Sequence, residues 1–390
     1  MGQFVSFRSL RRLPIGAQDN IQPHISVSHY DRVMKIALDA SPLAIPSGGV
    51  RRYIEELSRA LAENFPEDEF WLLSDQCFQP PAPARPNLKT GRGPRNLLER
   101  RWWLWGLQGE ISRIGIDLFH GTDFAVPYLP VRPSVMTLHD LSPWMDPAWH
   151  AEADRVRTRT PMLLRLGLAT MVITPSEAVR QQALERFRLQ ASRVVAVPHA
   201  AGRHFHPVEQ PSSSPPYLLY VGTLEPRKNL ALLLDVWREV RKQHPIDLVL
   251  AGRRREDFPQ LPAEAGLHLR GLTDEQELPK LYSGALAVVY PSYYEGFGLP
   301  VLEAMQCGAA VIASRDQAIV EVAGDAAILV DANDRRAWVE ALTSLVEQPD
   351  QIRALREKAL ARAGEFSWTK TARLTREVYG HAVKRFRKKA

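Results

Sequence analysis

The 390-residue sequence contains only two cysteines, Cys77 and Cys307, and they lie far apart. Two such cysteines supply neither a disulfide framework nor a CxxC metal knuckle, which fits a reducing compartment. The sequence also lacks any run of about 18 apolar residues, so we predict no transmembrane helix. It has no G-x-G-x-x-G dinucleotide fingerprint, which argues against a simple nicotinamide-dependent enzyme.

No D-x-D sequence occurs in the chain either. A carboxylate pair that would hold a divalent ion on a diphosphate is therefore not evident, and we predict neither a metal site nor a cofactor. What the chain does contain is ordinary for a globular protein, with 45% hydrophobic and 24% charged residues. Its length of 390 residues predicts two domains, at the usual size of roughly 100–200 residues each.

The net charge of +6 is modest but unevenly distributed, because residues 384–389, K-R-F-R-K-K, are strongly basic. Such a tail suits an anionic membrane surface or nucleic acid. A solvated helix end whose cations complement the helix dipole is an equally good interpretation. Of the two anionic partners we expect the membrane surface and no nucleic acid.

Residues 1–33 differ from the rest of the chain. They carry Arg8, Arg11 and Arg12 but no apolar h-region, so they are not a signal peptide. Because the regular pattern begins only at Met34, we expect either a disordered extension or a start codon placed too early.

Strand-like and helix-like stretches alternate from Met34 onward, which predicts an α/β protein with parallel sheets and helices on both faces. In the first half the predicted strands are 35–39, 70–73, 117–120, 134–138, 171–174 and 194–197. In the second half the predicted strands are 217–221, 247–251, 268–270, 286–290 and 309–313, with helices at 230–242, 275–284, 335–347 and 351–363. A capping box, T-P-S-E at 174–177, predicts one more helix that begins there.

The segment 207–216, P-V-E-Q-P-S-S-S-P-P, is the clearest linker and separates two predicted domains, 34–206 and 217–365. Two doubly wound domains leave a cleft between the carboxyl ends of their strands, where ligands bind. Residues 79–96 are rich in proline and predict a long exposed loop. The tryptophans at 102, 103 and 105 that follow predict a membrane-interface patch or, as we favour, core packing of an amphipathic helix.

The segment 295–303, E-G-F-G-L-P-V-L-E, is the strongest candidate site because it follows a buried strand and opens a helix. Gly296 and Gly298 let the backbone approach a ligand closely. Pro300 suits the first helical position, so Glu303 is predicted in the first turn. A helix start beside two carboxylates suits a ligand with phosphates and hydroxyls, such as a sugar nucleotide. A glutamate at a helix start is also favoured by the dipole alone.

Other strand ends carry further candidate residues. Arg227 and Lys228 follow the strand 217–221 and precede a helix that Asn229 could cap, so they can neutralise a diphosphate or form a solvated basic pair. His139 ends the strand 134–138, where it is either a sugar contact or a structural histidine. The pair Gly48–Gly49 at the first strand–helix turn can present backbone N–H groups to phosphate.

Together these segments resemble family 4 glycosyltransferases, retaining enzymes of the GT-B fold, over residues from about 34 to about 382. The family's E-x7-E element is matched by 295–303, and its closing segment by F-S-W-T-K-T-A. The matching segments are S-G-G-V at 47–50, T-L-H-D at 137–140, G-T-L-E-P-R-K-N at 222–229, the 295–303 segment, and 366–372.

The resemblance implies two Rossmann-like domains, of which 34–206 holds the acceptor and 217–365 binds the nucleotide sugar. It implies that residues 366–390 form a helix that crosses back to the first domain and ends in the basic tail. It also implies that Glu303 binds the ribose hydroxyls and that Arg227 and Lys228 bind the diphosphate.

The remaining roles also follow from the resemblance. Gly298 and Leu299 would offer N–H groups to phosphate, and Gly49 would lie nearby. The transferred sugar would be bordered by 295–297 and contacted by His139 from the first domain. The implied catalytic residues are His139, Glu295, Arg227 and Lys228. The implied nucleotide-sugar-binding residues are Gly48, Gly49, Arg227, Lys228, Gly296, Phe297, Gly298, Leu299 and Glu303.

The expected function is therefore retaining, metal-independent transfer of a hexose to a glycan or lipid-linked glycan in envelope polysaccharide biosynthesis. The sequences of 222–229 and 293–300 are similar to those of bacterial mannosyltransferases, so the first choice of transferred sugar is mannose, from GDP-mannose. UDP- and dTDP-sugars remain alternative donors. The implied location is the cytoplasm, peripheral on the inner face of the membrane. The alternatives are a sugar-nucleotide epimerase or phosphorylase of similar architecture, or a non-catalytic sugar-nucleotide-binding subunit.

Overall fold

The computed structural model describes residues 32–45, 48–150, 153–209 and 215–388. Most of the predicted extension 1–33 and the middle of the linker 207–216 lie outside these ranges. In the described part of the first half, a seven-stranded parallel sheet has the strand order β3-β2-β1-β4-β5-β6-β7. Its strands are β1 (Lys35–Asp39), β2 (Glu69–Leu73), β3 (Leu88–Thr90), β4 (Leu118–Gly121), β5 (Ser134–Thr137), β6 (Met171–Thr174) and β7 (Val194–Ala196).

Four helices connect these strands within the described ranges, and each covers the sheet with an apolar face. The first of them buries Ile54, Leu57 and Leu61, which recur at helical spacing and so form one stripe. The helices are α1 (Gly49–Asn64), α2 (Leu107–Ile114), α3 (Asp154–Arg165) and α4 (Glu177–Phe187).

The second sheet has six described strands, all parallel, in the order β10-β9-β8-β11-β12-β13. Its strands are β8 (Tyr217–Val221), β9 (Asp247–Ala251), β10 (Leu267–Gly271), β11 (Ala287–Tyr290), β12 (Val311–Ser314) and β13 (Ile328–Val330). Its helices are α5 (Leu230–Arg241), α6 (Leu278–Gly284), α7 (Leu299–Gln306), α8 (Gln317–Ala323), α9 (Arg335–Glu347) and α10 (Pro349–Ala363). The prediction of a doubly wound α/β protein with parallel sheets is therefore confirmed.

The last helix, α11 (Trp368–Arg387), packs against α1 and shares the core of the first sheet. Trp368 and Tyr379 are both buried in this core, and the Trp368 indole N–H donates to the carbonyl oxygen of Ala201 at 3.1 Å. A buried ion pair joins Arg376 to Asp68 at 2.5 Å. The polypeptide thus leaves the first sheet, builds the second, and returns to complete the first core.

Both sheets change winding direction at one point. The first sheet does so between β1 and β4, and the second between β8 and β11, because the chain fills one side of each sheet before the other. The carboxyl ends of strands at such switch points form the crevices in which α/β proteins bind ligands.

Two predictions about helix caps are wrong. The helix predicted to begin with Thr174 starts at Glu177, because the Ser176 hydroxyl accepts the backbone N–H of Val179 and Ser176 is the N-cap. Asn229 does not cap α5 with its side chain. Its backbone is left-handed, with φ of 55°, and its amide instead donates to two backbone carbonyls of neighbouring segments.

The predicted loop 79–96 contains the strand β3, which adds to the edge of the first sheet. A π-helical turn at Trp102–Gly106 follows and leads into α2. Trp102 is buried, as core packing requires, but Trp105 is half exposed. The favoured interpretation of the tryptophans is thus right for the first of them and wrong for the last. In the described ranges, no helix has the length and apolar character needed to cross a bilayer.

Candidate active site

A cavity of about 490 Å³ lies between the carboxyl ends of the two sheets. The second sheet contributes the turns after β8 and β11 and the start of α7, and the first sheet contributes the start of α1 and the turn after β5. Every site residue predicted from the sequence lines this cavity. These residues are Gly48, Gly49, His139, Arg227, Lys228, Glu295, Gly296, Phe297, Gly298, Leu299 and Glu303.

Arg227 and Lys228 occupy a 3₁₀ turn after β8 and are both buried. The Lys228 ammonium donates to Glu295 at 2.6 Å and to the Tyr290 hydroxyl at 3.0 Å. The Arg227 guanidinium donates to Glu225 at 2.9 Å and lies 3.4 Å from Glu295. Two cations and two carboxylates therefore form one buried cluster at the edge of the cavity.

The charges of this cluster depend on one another. Burial alone would raise the pKa of Glu295, but Lys228 and Arg227 outweigh burial and lower it, so this carboxylate is ionised. Burial and the neighbouring Arg227 lower the pKa of Lys228, and the attraction of Glu295 only partly offsets them. An anionic ligand on Arg227 and Lys228 would add negative charge and favour the protonated lysine.

Glu303 lies one turn into α7 rather than in its first turn. The helix begins at Leu299 because Gly298 takes the left-handed N-cap position, with φ of 91°, and Pro300 is the second helical residue. The Glu303 side chain is 1% exposed. It accepts the Tyr282 hydroxyl at 3.0 Å and the guanidinium of Arg52, a residue of α1.

Gly296 lies where the backbones of the two halves of the chain approach each other closely. A β-carbon on this residue would lie 1.9 Å from the carbonyl oxygen of His139, so any other residue would push the halves apart. The Ser176 hydroxyl donates to the carbonyl of Gly296 at 2.8 Å. Glu321 of α8 accepts the backbone N–H groups of Glu177 and Ala178, and so caps α4 from the opposite half. Polar contacts between the two halves therefore hold the cleft near Gly296 and at the start of α4.

His139 faces the cavity with a defined tautomer. Its Nε2 donates to the carbonyl oxygen of Thr122 at 2.7 Å, which leaves Nδ1 without the proton. Burial lowers the pKa of His139, although Thr122 and Asp140 oppose the shift. The ring is therefore neutral at neutral pH, so it presents a polar group rather than a cation to the cavity.

Several cavity residues were not found from the sequence. Arg52 was not predicted as a site residue, although it reaches Glu303 and also Glu275, at 2.8 Å. His199 is buried, and neither of its ring nitrogens has a hydrogen-bond partner among the described residues. It lies between the rings of Tyr53 and Phe297, 4.5 and 5.3 Å away. No sequence signal separates it from a structural histidine.

A second cavity, of about 610 Å³, lies at the switch point of the first sheet. Asp39 ends β1, Asp75 follows β2 and Asp123 follows β4, so three adjacent strands bring carboxylates to it. Burial raises the pKa of Asp39 and of Asp123 to about 6. Arg159 enters from α3 and lies over the ring of Trp103, 5.5 Å from its centre. In the described part of the chain, no group of three histidine, cysteine or acidic side chains is arranged to hold a metal ion.

The chain is similar to known proteins over nearly its whole length. Residues 47–201 match the sequence family described as Glycosyltransferase Family 4, and residues 203–362 match Glycosyl transferases group 1. The chain is 31% identical to the O-antigen chain mannosyltransferase B of Escherichia coli, with 89% of this chain and 99% of that protein covered.

Two solved structures show the same fold. Sucrose-phosphate synthase from Thermosynechococcus elongatus is similar with a TM-score of 0.68 at 21% identity, covering 89% of this chain and 98% of that one. Anabaena HepE in complex with UDP and glucose is similar with a TM-score of 0.65 at 16% identity, covering 90% of this chain and 100% of that one.

The chain has two doubly wound parallel sheets that enclose a cleft. This architecture and the similarities above define the class of glycosyltransferases with the GT-B fold. The predicted fold class is thereby confirmed. Within that class, the chain belongs to glycosyltransferase family 4, a retaining family, as its sequence predicted.

Proposed function

We propose that this enzyme transfers mannose from GDP-mannose to a glycan or a lipid-linked glycan during envelope polysaccharide biosynthesis. One observation carries the proposal: a single cavity has the buried cations Arg227 and Lys228 at one place and the buried carboxylate Glu303 at another. That arrangement suits a ligand with a charged diphosphate and a ribose diol. The choice of mannose is supported by the similarity to an O-antigen mannosyltransferase across almost the full length of both chains.

In the proposed complex, Glu303 accepts hydrogen bonds from the ribose hydroxyls, and Arg227 and Lys228 bind the diphosphate. The backbone N–H groups of Gly298 and Leu299 open α7 toward the phosphates, since the first amides of a helix have no partner within it. The glycine pair Gly48 and Gly49 lies across the cleft and is open to the same cavity. A bulkier side chain at Gly48 would be strained, because its φ is 136°.

The transferred sugar is proposed to lie against Glu295, Gly296 and Phe297, with His139 opposite. Breaking the anomeric bond leaves an oxocarbenium-like sugar and moves the bonding electrons onto the diphosphate. Fixed cations at the diphosphate stabilise this charge without reorganising, which is the main way such sites lower a barrier. Because Arg227 and Lys228 already supply positive charge there, we propose that transfer needs no divalent metal ion.

The acceptor is proposed to bind in the second cavity, on the 34–206 side of the cleft. Carboxylates such as Asp39 and Asp123 would accept hydrogen bonds from sugar hydroxyls. The ring faces of Trp103 and Tyr128 suit the apolar face of a pyranose. Arg155 and Arg159 in the same wall suit the phosphate of a lipid carrier. The proposed division of labour thus gives 34–206 the acceptor and 217–365 the donor, with 366–390 joining them. The proposed location is the cytoplasmic face of the membrane.

A panel of nucleotide sugars tests the proposal. The enzyme is incubated with GDP-, UDP- and dTDP-sugars in excess EDTA without acceptor, and slow hydrolysis is scored for each. We expect GDP-mannose to be hydrolysed fastest and Mg²⁺ to add little. If another nucleotide sugar is hydrolysed instead, it replaces GDP-mannose as the proposed donor. If Mg²⁺ restores an activity that EDTA abolishes, the metal-independent scheme is overturned. Isomerisation of the donor would indicate an epimerase, and tight binding without turnover, even with membrane extract, would indicate a binding subunit.

A further inference from the structure

A group of exposed apolar side chains lies on the first half of the chain, outside the lining of the cavity between the two sheets. We call it the apolar rim; it consists of Leu97, Leu98, Trp105, Leu129 and Val131. Leu97 and Leu98 are 80% and 70% exposed, which is extreme for leucine in a folded chain. Single exposed apolar residues are common, but a cluster of them marks an interaction surface.

The rim is an ordered structure. The backbone N–H of Arg101 donates to Leu98, and that of Trp105 donates to Arg101 at 2.9 Å, so residues 97–105 form consecutive turns. The Gln108 side chain donates to the carbonyl of Leu129 at 3.0 Å, which fixes the second segment of the rim beside the first. The apolar side chains are therefore held outward by the backbone around them.

Positive charge predominates beside the rim, although Glu110 of α2 also lies here and accepts the backbone N–H of Arg92 at 3.1 Å. Exposed arginines flank both of its segments, and the one acidic side chain within 92–105, Glu99, is occupied by the backbone N–H of Arg95 and the amide of Asn96. The arginines are Arg92, Arg95, Arg100, Arg101 and Arg132. Leucine and tryptophan side chains that insert shallowly, ringed by arginine, are the combination that binds the interface of an anionic bilayer.

We propose that the apolar rim and its arginines dock this enzyme on an anionic phospholipid surface. The positive charge of the arginines beside the rim favours an anionic membrane as the partner. A second copy of the chain would bring two sets of arginines together, whereas anionic headgroups neutralise them. This surface is distinct from the basic tail, and the inference does not rest on the identity of the donor or acceptor.

The docking surface adjoins the second cavity. The cavity is lined by Arg100, Arg101 and the turn at 102–104, which lie between Leu98 and Trp105 of the apolar rim. It is also lined by Tyr128, which precedes Leu129 of the rim. A bilayer against the rim would therefore lie at the mouth of the cavity. A polar headgroup attached to a lipid could enter the cavity while its chains stayed in the membrane.

The test measures co-sedimentation of the full-length protein with vesicles. Vesicles of phosphatidylglycerol and phosphatidylethanolamine are compared with vesicles of phosphatidylcholine alone. We expect wild type to bind the anionic vesicles and to be released by salt. The double variant Leu97→Ser/Leu98→Ser should bind them about tenfold more weakly, since two leucines no longer enter the apolar phase. The variant Arg92→Gln/Arg95→Gln should weaken the preference for anionic lipid.

The matched control is Leu269→Ser, which removes a leucine that is 51% exposed on the edge strand β10, outside the rim. It should bind vesicles as wild type does. Thermal unfolding and donor hydrolysis should be unchanged in the Leu97/Leu98 variant, which shows that the fold is intact. Equal vesicle binding by this variant and wild type would overturn the proposal. So would a wild-type dimer that the variant loses, because the rim would then pair two copies.

Discussion

The guanidinium of Arg52 and the carboxylate of Glu303 form an ion pair across the cleft, although they lie 251 residues apart in the sequence. Arg52 belongs to α1 of the first sheet and Glu303 to α7 of the second. The carboxylate proposed to bind the ribose thus already joins the two halves. A nucleotide sugar whose ribose hydroxyls donate hydrogen bonds to Glu303 must share this carboxylate with Arg52 or displace that arginine, so donor binding and the spacing of the two halves are coupled.

The substitution Glu303→Gln should weaken binding of GDP while the fold stays intact. The amide keeps one acceptor but loses the charge, and hydrogen bonds to charged groups are worth about 1.5–3 kcal/mol. We expect a loss of roughly 10- to 150-fold in affinity, measured by calorimetry. The matched control is Glu275→Gln, whose side chain shares Arg52 but is 49% exposed. Unchanged affinity in Glu303→Gln would remove the proposed contact with the ribose.

The substitution Lys228→Ala should lower kcat more than it raises KM. The ammonium stabilises charge that grows on the diphosphate during transfer, so its loss should cost about 10²- to 10³-fold in kcat. Steady-state kinetics on the donor found by the panel would measure both constants. The control is Lys242→Ala, which removes a lysine that is 69% exposed and pairs only with Glu239 among the described residues. A change in KM alone would make Lys228 a ground-state clamp.

The pH dependence of stability should change in Asp39→Asn. Burial raises the pKa of Asp39 to about 6, so the folded chain holds this proton more tightly than the unfolded chain does. Its contribution to the free energy of unfolding is therefore complete below about pH 4 and is lost as the pH rises through about 6. Between about pH 5 and 7.5, wild type should lose about 1–2 kcal/mol relative to the variant in urea titrations.

The control for this comparison is Asp75→Asn, because Asp75 lines the same cavity but is exposed. It should lower the pKa of Asp39 only slightly, through the lost repulsion. Parallel stability curves for wild type and Asp39→Asn across this pH range would mean that the Asp39 carboxyl does not titrate there.

The substitution Trp368→Ala should destabilise the whole chain. The indole is 3% exposed and packs against His199 and Tyr53, so its removal leaves a large cavity in the first core. The expected cost is about 3–5 kcal/mol in the free energy of unfolding. The control on the same helix is Arg373→Ala, an exposed residue that should change stability by less than about 0.5 kcal/mol. Equal unfolding midpoints would contradict the structural role of α11.

Truncation after Val383 should leave donor hydrolysis nearly normal but weaken binding to anionic vesicles. Residues 384–387 belong to α11, and Arg385 donates to Gln190 at 2.5 Å, so the basic end is held against the first half. Lys389 lies outside the described residues. The loss of vesicle binding caused by the truncation should add to the loss caused by the Leu97→Ser/Leu98→Ser variant, since the basic tail and the apolar rim share no residue. Vesicle binding equal to that of the full chain would make the tail a solvated helix end.

The sequence predicted the parts of the site that are local. Arg227, Lys228 and Glu295 were found because each follows an apolar strand, and the carboxyl ends of parallel strands meet at one edge of a sheet. Arg52 and His199 were not found, because each matters only through a partner far away in the chain. The strands β3 and β13 were missed because three residues show little alternation, and β3 also lies within the proline-rich segment 79–96. The helix α3 was missed because Pro161 and many charged residues obscure its short apolar stripe.

The return of α11 to the first core has a consequence for synthesis of the chain on the ribosome. Domains usually fold in order as the polypeptide emerges. Here the first core needs Trp368, Tyr379 and Ala382, which are made only after the whole second sheet. The nascent first sheet must therefore wait, with the groove beside α1 uncovered, while the whole second sheet is made. Stop codons anywhere before α11 should yield products that chaperones and proteases recognise as incomplete, and a functional enzyme should arise only from messages that encode α11.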